Sequence, residues 1–332
     1  MNQTGCLNSN EPSSYFTDNL KYLIQLSYLL PGIILHIRVL KVVYFDQRKI
    51  YAKQSFFLVF SMDSIASLSQ LLLDAFQIRV ALYVPQICDS FTRFFNNFNA
   101  VAHFQLVLYN YMRAAKSIIQ VFLILNRMSC VVFPLKYAQI WRKYLPLVIL
   151  TTIFSPCLVI WNLAISEIYV TYMFNGYSLN YKKRVAWASL STFQMLFMLF
   201  SILVTAICTP VTIWKMSKLK KRLRNTEKSL CWTSIAISIG FFSAFLCQLY
   251  FATSPMSAAQ AQTVYLLQYI TFDMLNIGGP VIMILINGKI RHDIFGRACF
   301  FGKQQSREAT GNQGSHNQRN SVVVSLASST MV

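Results

Sequence analysis

Long apolar runs alternate with short polar or basic segments along most of the chain. An α-helix rises about 1.5 Å per residue, so runs of 20 residues or more can cross the roughly 30 Å hydrocarbon core of a bilayer. The pattern predicts seven spans, at residues 22–44, 55–76, 99–127, 144–165, 185–214, 229–251 and 262–287. The expected fold is therefore an all-α integral membrane protein, a seven-transmembrane helix bundle.

Polar segments flank the predicted bundle on both sides. Residues 1–21 are polar and lack the apolar core of a cleavable signal peptide, which predicts an extracellular N-terminus. Residues 288–302 carry basic side chains together with Ile290 and Ile294 at helical spacing, which predicts an amphipathic juxtamembrane segment. Residues 303–332 are rich in Ser, Gln, Asn and Gly, a composition that predicts a disordered cytoplasmic tail.

The distribution of Lys and Arg predicts which end of the bundle faces the cytoplasm. Cytoplasmic loops carry an excess of these residues. With the N-terminus outside, twenty of the 30 basic residues fall on inner segments, and four lie within helices. The six on outer segments are Lys21, Arg79, Arg93, Lys182, Lys183 and Arg184. We therefore predict that the N-terminus is outside and that the C-terminus is cytoplasmic.

Composition supports a membrane protein and argues against a soluble one. Hydrophobic residues make up 55% of the chain and charged residues only 12%, with a mean hydropathy of +0.44. The net charge of +19 is spread over short clusters between apolar runs, so nucleic acid is not an expected partner. The basic run at residues 215–228 instead predicts contact with anionic lipid of the inner leaflet.

Neither a metal site nor an enzyme active site is expected. The eight cysteines form no CxxC pair, and most of them sit inside apolar runs. The four histidines lie at incompatible depths, one of them in the tail: His36, His103, His292 and His316. With no converging ligands for a metal, we expect no cofactor and no catalysis.

Two sites of covalent modification are predicted. Asn2-Gln3-Thr4 is a glycosylation sequon on the predicted outer side, with Asn2 as the acceptor. Cys299 follows the last span on the predicted inner side, where it is a candidate for palmitoylation. The alternative at Cys299 is an unmodified thiol at the membrane surface.

Charged side chains inside the predicted spans fall at matching depths. Asp63 lies about nine and Lys116 about eleven residues from the inner end of its span, which places both roughly 14 to 17 Å deep. Arg113 lies fourteen residues before Arg127, and Asp273 is equally far from its inner end, about 21 Å up. Because an isolated charge in a bilayer is costly, we predict two pairs, Asp63 with Lys116 and Asp273 with Arg113.

Two interpretations of these charges remain open. They can be structural ion pairs that fix helix packing. Alternatively, Arg113 and Tyr109 one turn above it, with Asp273, can line an outward-opening pocket for an acidic molecule, because a guanidinium binds a carboxylate with two hydrogen bonds. Asp74 lies near the outer rim, where an exposed carboxylate is expected.

The third span contains the most specific motif of the chain. The sequence AAKSIIQ occupies residues 114–120, and LNRMSCVVFP occupies residues 125–134. With seven spans and an outer N-terminus, the chain resembles the nematode serpentine receptors of the gamma class, which are chemosensory G-protein-coupled receptors. The resemblance extends from YLIQL at residues 22–26 to IRHDI at residues 290–294.

The resemblance implies a function and a set of partners. Such a receptor binds a small molecule from outside and signals to a heterotrimeric G protein from the plasma membrane of a sensory neuron. The cations of the third span indicate an acidic, pheromone-like metabolite as the ligand. Asn126-Arg127-Met128 stands where rhodopsin-like receptors carry Asp-Arg-Tyr, so Arg127 with Asn126 inherits the role of the G-protein switch. The acid before the arginine is missing, and Pro280 is not part of an Asn-Pro-x-x-Tyr motif.

Residue type alone leaves other interpretations open. Arg127 can be an ordinary interfacial cation whose side chain reaches the membrane surface. Cys6 can pair with Cys88, or both thiols can stay free. A ligand-gated seven-helix ion channel is the first alternative function. Insect odorant receptors are such channels, but their N-terminus lies inside the cell. A secondary transporter is the second, but it would favour matched Gly/Pro-broken helices.

Overall fold

The computed structural model describes residues 12–173, 176–218, 238–250, 253 and 258–296. Within these residues the chain forms a bundle of long helices and one β-hairpin. The helices are α1 Pro12–Lys41, α2 Arg48–Tyr51, α3 Ser55–Leu73, α4 Arg79–Tyr83, α5 Cys88–Asn97, α6 Asn99–Val132, α7 Tyr137–Phe154, α8 Cys157–Ala164, α9 Leu190–Ser217, α10 Ser238–Tyr250, α11 Ala258–Ile286 and α12 Gly288–Phe295. The strands are β1 Glu167–Met173 and β2 Gly176–Lys182.

Five helical stretches in the described part of the chain are long and apolar enough to cross a membrane. They are Phe16–Asp46, Ser55–Tyr83, Asn99–Val132, Tyr137–Ala164 and Leu190–Ser217. The helix α10 is apolar but shorter, and α11 is 29 residues long. The protein is therefore helical and suited to a membrane, while the count of seven spans and the orientation stay predictions.

Several helices extend beyond the predicted spans. The helix α1 begins ten residues before position 22, and a salt bridge of 2.8 Å between Lys21 and Asp18 stabilises this additional part. The third predicted span continues to Val132. The fourth is interrupted before α8 at Pro156, which has no backbone N–H to continue the helical ladder.

The second predicted span is longer than its apolar pattern indicated. A π-helical turn, Asp74–Ile78, joins α3 directly to α4, so the helical stretch ends at Tyr83 instead of residue 76. Arg79, which the sequence assigned to an outer segment, therefore lies inside the bundle with 0% of its surface exposed. This extension changes the pairing of the buried charges.

A β-hairpin follows α8, in a fold that was predicted to be all-α. The strands pair antiparallel from Glu167 with Lys182 to Met173 with Gly176. The segment is rich in Tyr, Val, Ile and Thr, which favour strands. A Cβ atom at Gly176 would lie 2.1 Å from the Ala81 carbonyl oxygen, so only glycine permits this close approach of β2 to α4.

The helix α12 packs against the predicted inner end of the bundle. Ile290 and Ile294 are buried in the largest apolar cluster, together with Val43 of the π-helical turn after α1. The Tyr51 hydroxyl donates a 2.6 Å hydrogen bond to Asp293 Oδ2. Burial, and then the Asp293 carboxylate, raise the pKa of Tyr51, which keeps this donor protonated. The apolar face of the predicted amphipathic segment thus contacts the protein; its residues 297–302 lie outside the described part.

Candidate functional site

Besides Asp18 of α1 and Arg127 near the end of α6, six charged side chains are buried in the described part of the bundle. Each exposes 8% of its surface or less. They are Asp63, Asp74, Arg79, Arg113, Lys116 and Asp273. Three cations thus face three carboxylates, and the distances show which of them are paired.

Arg79 forms the central ion pair of this group. Its Nη2 atom lies 2.9 Å from both carboxylate oxygens of Asp273, and Nη1 donates to the Gln25 side chain. Tyr28 donates a third hydrogen bond to Asp273, at 2.7 Å. The structure thus pairs Asp273 with Arg79 instead of Arg113, because the extension of the second span brings a competing guanidinium into the bundle.

Asp74 is buried, in place of the exposed position expected near the rim. Its carboxylate accepts a 3.1 Å hydrogen bond from the Tyr109 hydroxyl and lies 4.0 Å from Arg79 Nε. Residues five apart point about 140° away from each other in an α-helix. The π-helical turn changes this angle, and both Asp74 and Arg79 face the interior of the bundle.

Asp63 and Lys116 lie together, as their depths indicated. Lys116 Nζ is 3.3 Å from Asp63 Oδ1 and also donates to the Ser67 hydroxyl. Both side chains are almost fully enclosed by protein. A carboxylate in this environment needs a cation in contact, and Lys116 supplies it.

Arg113 differs from Arg79 and Lys116, the other two cations of this group. Its guanidinium stacks on Phe272, with Cζ 3.6 Å from the ring centre, and lies 5.0 Å from the ring of Tyr109. Its Nε and Nη2 atoms are buried and have no hydrogen-bond partner among the described residues. No carboxylate of the described chain lies within 4.0 Å of it. Arg113 is therefore held in place by aromatic rings and retains unused donors.

A cavity of about 420 Å³ opens beside Arg113. Helices α4, α5, α6, α9 and α11 surround it, and the hairpin closes one side. Its lining residues are Gln77, Ile78, Ala81, Phe95, Gln105, Leu106, Tyr109, Asn110, Arg113, Thr171, Tyr177, Ser178, Leu179, Asn180, Tyr181, Leu190, Tyr265, Gln268 and Tyr269. Arg113 and Tyr109, two of the three predicted ligand residues, line this cavity, whereas Asp273 does not.

The two residues of the predicted G-protein switch, Asn126 and Arg127, lie in a polar cluster at the far end of α6. Asn126 donates to Ser55 Oγ at 2.9 Å and accepts from the Tyr137 hydroxyl at 3.0 Å. Arg127 is buried, and its Cζ atom lies 3.6 Å above the ring of Phe56. The amide of Asn126 thus connects α6 with α3 and α7, at the position where rhodopsin-like receptors carry the aspartate of Asp-Arg-Tyr. Arg127 is stacked against α3.

Some predicted sites lie outside the described residues. These are the glycosylation acceptor Asn2, the thiols of Cys6 and Cys299, and positions 219–228 of the basic run. The first basic residues of that run are described: Lys218 Nζ lies 4.1 Å above the ring of Trp214, and Lys215 Nζ lies 5.2 Å from it.

Arg79 and the hairpin residues were missed by the sequence interpretation. The predicted second span ends at residue 76 and a loop is predicted from Gln77, although Val80, Ala81 and Leu82 continue the apolar character beyond Arg79. Extending the span until the apolar residues end would have included Arg79. The alternating aromatic and polar residues before position 182 are likewise a strand signal that a prediction of helices alone overlooks.

Comparisons with known proteins agree with this architecture. The sequence model of the Srg family chemoreceptors matches residues 22–294, the described bundle almost from end to end. Serpentine receptor class gamma-5 of Caenorhabditis elegans is 49% identical over 292 residues, which cover 88% of this chain and 90% of the relative. Class gamma-4 and class gamma-2 receptors of the same nematode are 40% and 35% identical, each over 86% of this chain and 90% and 87% of the relative. These relatives are named as receptors, and the resemblance noted from the motif on α6 is confirmed: the chain belongs to the Srg family of chemoreceptors.

Proposed function

We propose that this protein is a G-protein-coupled chemoreceptor that binds an acidic small molecule in the cavity beside Arg113. The observation that carries the proposal is the guanidinium of Arg113, which is buried at the cavity wall with two nitrogen donors, Nε and Nη2, unused in the described structure. The ligand would enter from outside, and the receptor would act in the plasma membrane of a sensory neuron. A pheromone-like organic acid fits this description.

The chemistry of Arg113 selects an anion. A buried cation without an acceptor has lost its hydration and gained only the aromatic contacts, so an anionic ligand would restore the missing interactions. A carboxylate suits this site because a planar guanidinium can donate two parallel hydrogen bonds to it. Asp74 and Asp273 do not fulfil this role, because both are engaged by Arg79.

The opposite end of α6 provides the contact for a heterotrimeric G protein. Arg127 is only 7% exposed and is stacked on Phe56, so a partner could reach it only after the helices at this end separate. A receptor of this kind is an equilibrium between two packings of the bundle, which ligand and G protein both shift. The basic run at residues 215–228 would lie against anionic lipid of the inner leaflet beside this contact.

The proposal is tested by expressing the full chain in cultured cells and recording G-protein dissociation and membrane current together. The cells receive a panel of small acidic and neutral nematode metabolites. We expect an acid to dissociate a G protein without producing current. Current that persists after the G proteins are blocked would establish a ligand-gated channel instead, and it would remove the role proposed for Arg127.

Replacing Arg127 with alanine should separate ligand binding from signalling. We expect unchanged ligand affinity and at least about a tenfold loss of G-protein activation, because the cavity lies at the other end of α6. Binding and dissociation are measured on the same membranes. Arg142→Ala is the matched control, because Arg142 is an exposed arginine at the same end of the bundle. Equal losses in the two variants would indicate a general effect of positive charge.

A further inference from the structure

A second set of polar atoms lines the cavity away from Arg113. The side-chain oxygens of Gln77, Gln105 and Tyr177 are buried and have no hydrogen-bond partner among the described residues, and the last two belong to residues that are themselves buried. Gln105 is 6% exposed and Tyr177 is 2% exposed. Gln105 precedes Arg113 by eight residues on α6, which corresponds to about 12 Å along the helix axis. The cavity therefore has polar groups to satisfy away from Arg113 as well as beside it.

The position of the Tyr177 hydroxyl is set by packing. Its ring lies 6.1 Å from the ring of Phe91 and 6.2 Å from that of Phe95, both on α5. The preceding Gly176 rests directly on the backbone of Ala81, which fixes the strand against α4. Burial raises the pKa of Tyr177, so this phenol is neutral at physiological pH. The hydroxyl group is therefore an uncharged feature of the cavity wall, placed by the packing of its ring.

The rest of the lining combines apolar and uncharged polar side chains and adds no further charge. Ile78, Ala81, Leu106 and Leu190 contribute apolar surface. Arg113 is the single charged residue among those that line the cavity in the described structure. A ligand with a second ionised group would thus find no countercharge in the wall, and burying that group would be costly.

We infer that the ligand is a hydroxylated acid, with its acidic group at Arg113, an apolar middle, and a hydroxyl group bound between Gln105 and Tyr177. This inference rests on the proposed acid site and adds a second recognition point to it. A hydroxyl group both donates and accepts hydrogen bonds, so it can satisfy an amide and a phenol at the same time. Sites that bury such polar groups discriminate strongly against analogues that lack the matching hydroxyl.

Direct binding to the purified full chain tests the inference without any signalling readout. The two probes are 10-hydroxydecanoate and decanoate, which share the carboxylate and the chain and differ in the terminal hydroxyl. We expect the hydroxy acid to bind about 10- to 100-fold more tightly, the effect of pairing buried polar groups that otherwise stay unpaired. Equal affinities for the two acids, or no measurable binding of either, would overturn the inference.

Two conservative substitutions locate the effect. Tyr177→Phe keeps the ring that packs on α5, and Gln105→Met keeps a chain of similar length, so both should fold. In the double variant we expect the two acids to bind equally, at the affinity of decanoate for the wild type. A preference that survives in this variant would show that the hydroxyl group is recognised elsewhere.

The binding assay also separates this inference from the proposed function. Arg113→Met should weaken both probes by a similar factor, because it removes the site that they share. Equal binding of both acids that Arg113→Met abolishes would retain the acid site and refute the hydroxyl site. Hydroxyl-dependent binding without G-protein activation would support the hydroxyl site and refute the signalling function.

Discussion

Replacing Arg113 with methionine is expected to abolish the response to the most active acid of the metabolite panel while leaving the receptor folded and at the cell surface. Losing the charged donor should weaken the response by about 30-fold or more, because a buried charge pair that loses one partner typically costs about 2–5 kcal/mol. Folding should survive because Arg113 contacts aromatic rings and has no carboxylate within 4.0 Å in the described structure. Dose–response curves and surface labelling of the same cells measure both effects.

Two further variants control this result. Arg113→Lys keeps the charge but loses the planar guanidinium that donates two parallel hydrogen bonds. Its response should therefore lie between those of the wild type and Arg113→Met. Arg93→Met removes an exposed arginine at the same end of the bundle and should leave the response unchanged. If Arg113→Met fails to reach the surface, the guanidinium is a structural group, and the ligand site must be sought elsewhere.

Replacing Arg79 with methionine should have the opposite effect from Arg113→Met. We expect the protein to fold poorly, so that little receptor reaches the cell surface. Asp273 would lose two hydrogen bonds of 2.9 Å, and Asp74 would lose its nearest cation. Removing one partner of a buried ion pair destabilises a protein by about 3–5 kcal/mol, because the remaining charge is left unpaired. We expect low surface expression and a reduced unfolding temperature in detergent.

The matched control for Arg79 is the Arg113→Met variant, which removes the same charge from the same region of the bundle. Adding Asp273→Asn to Arg79→Met should restore part of the expression, since the stranded carboxylate is then replaced by a neutral amide. Wild-type expression of Arg79→Met alone would contradict the assignment of Arg79 to the structural network and would weaken the distinction from Arg113.

The depth of each charged residue along its helix could be read from the sequence. The side of the helix from which its side chain points could not. Counting residues placed Asp63 and Lys116 at one level, and the structure finds them 3.3 Å apart. The same counting placed Asp273 level with Arg113, yet Asp273 binds Arg79. Depth narrows the choice of partners to one layer of the bundle, and helix rotation then selects among them.

Local backbone geometry was the second limit of sequence interpretation. Asp74 and Arg79 stand five residues apart, a spacing that an α-helix would turn to different sides. Only the π-helical turn between α3 and α4 brings both into the interior. The apolar residues after Arg79 indicate a longer helix, but the spacing of hydrophobic residues does not reveal a π-helical turn.

The sequence by itself determined the family, the helical membrane architecture and which charged residues lie inside the spans. Hydrophobic runs and a specific motif are properties of the linear chain. Only the tertiary structure decided which buried charges are paired and which one is available. Arg113 retains unused donors beside a cavity because Arg79, from a neighbouring helix, has taken both nearby carboxylates. That outcome depends on helix rotation and on a hairpin that closes the cavity, and these arise only when all the helices pack together.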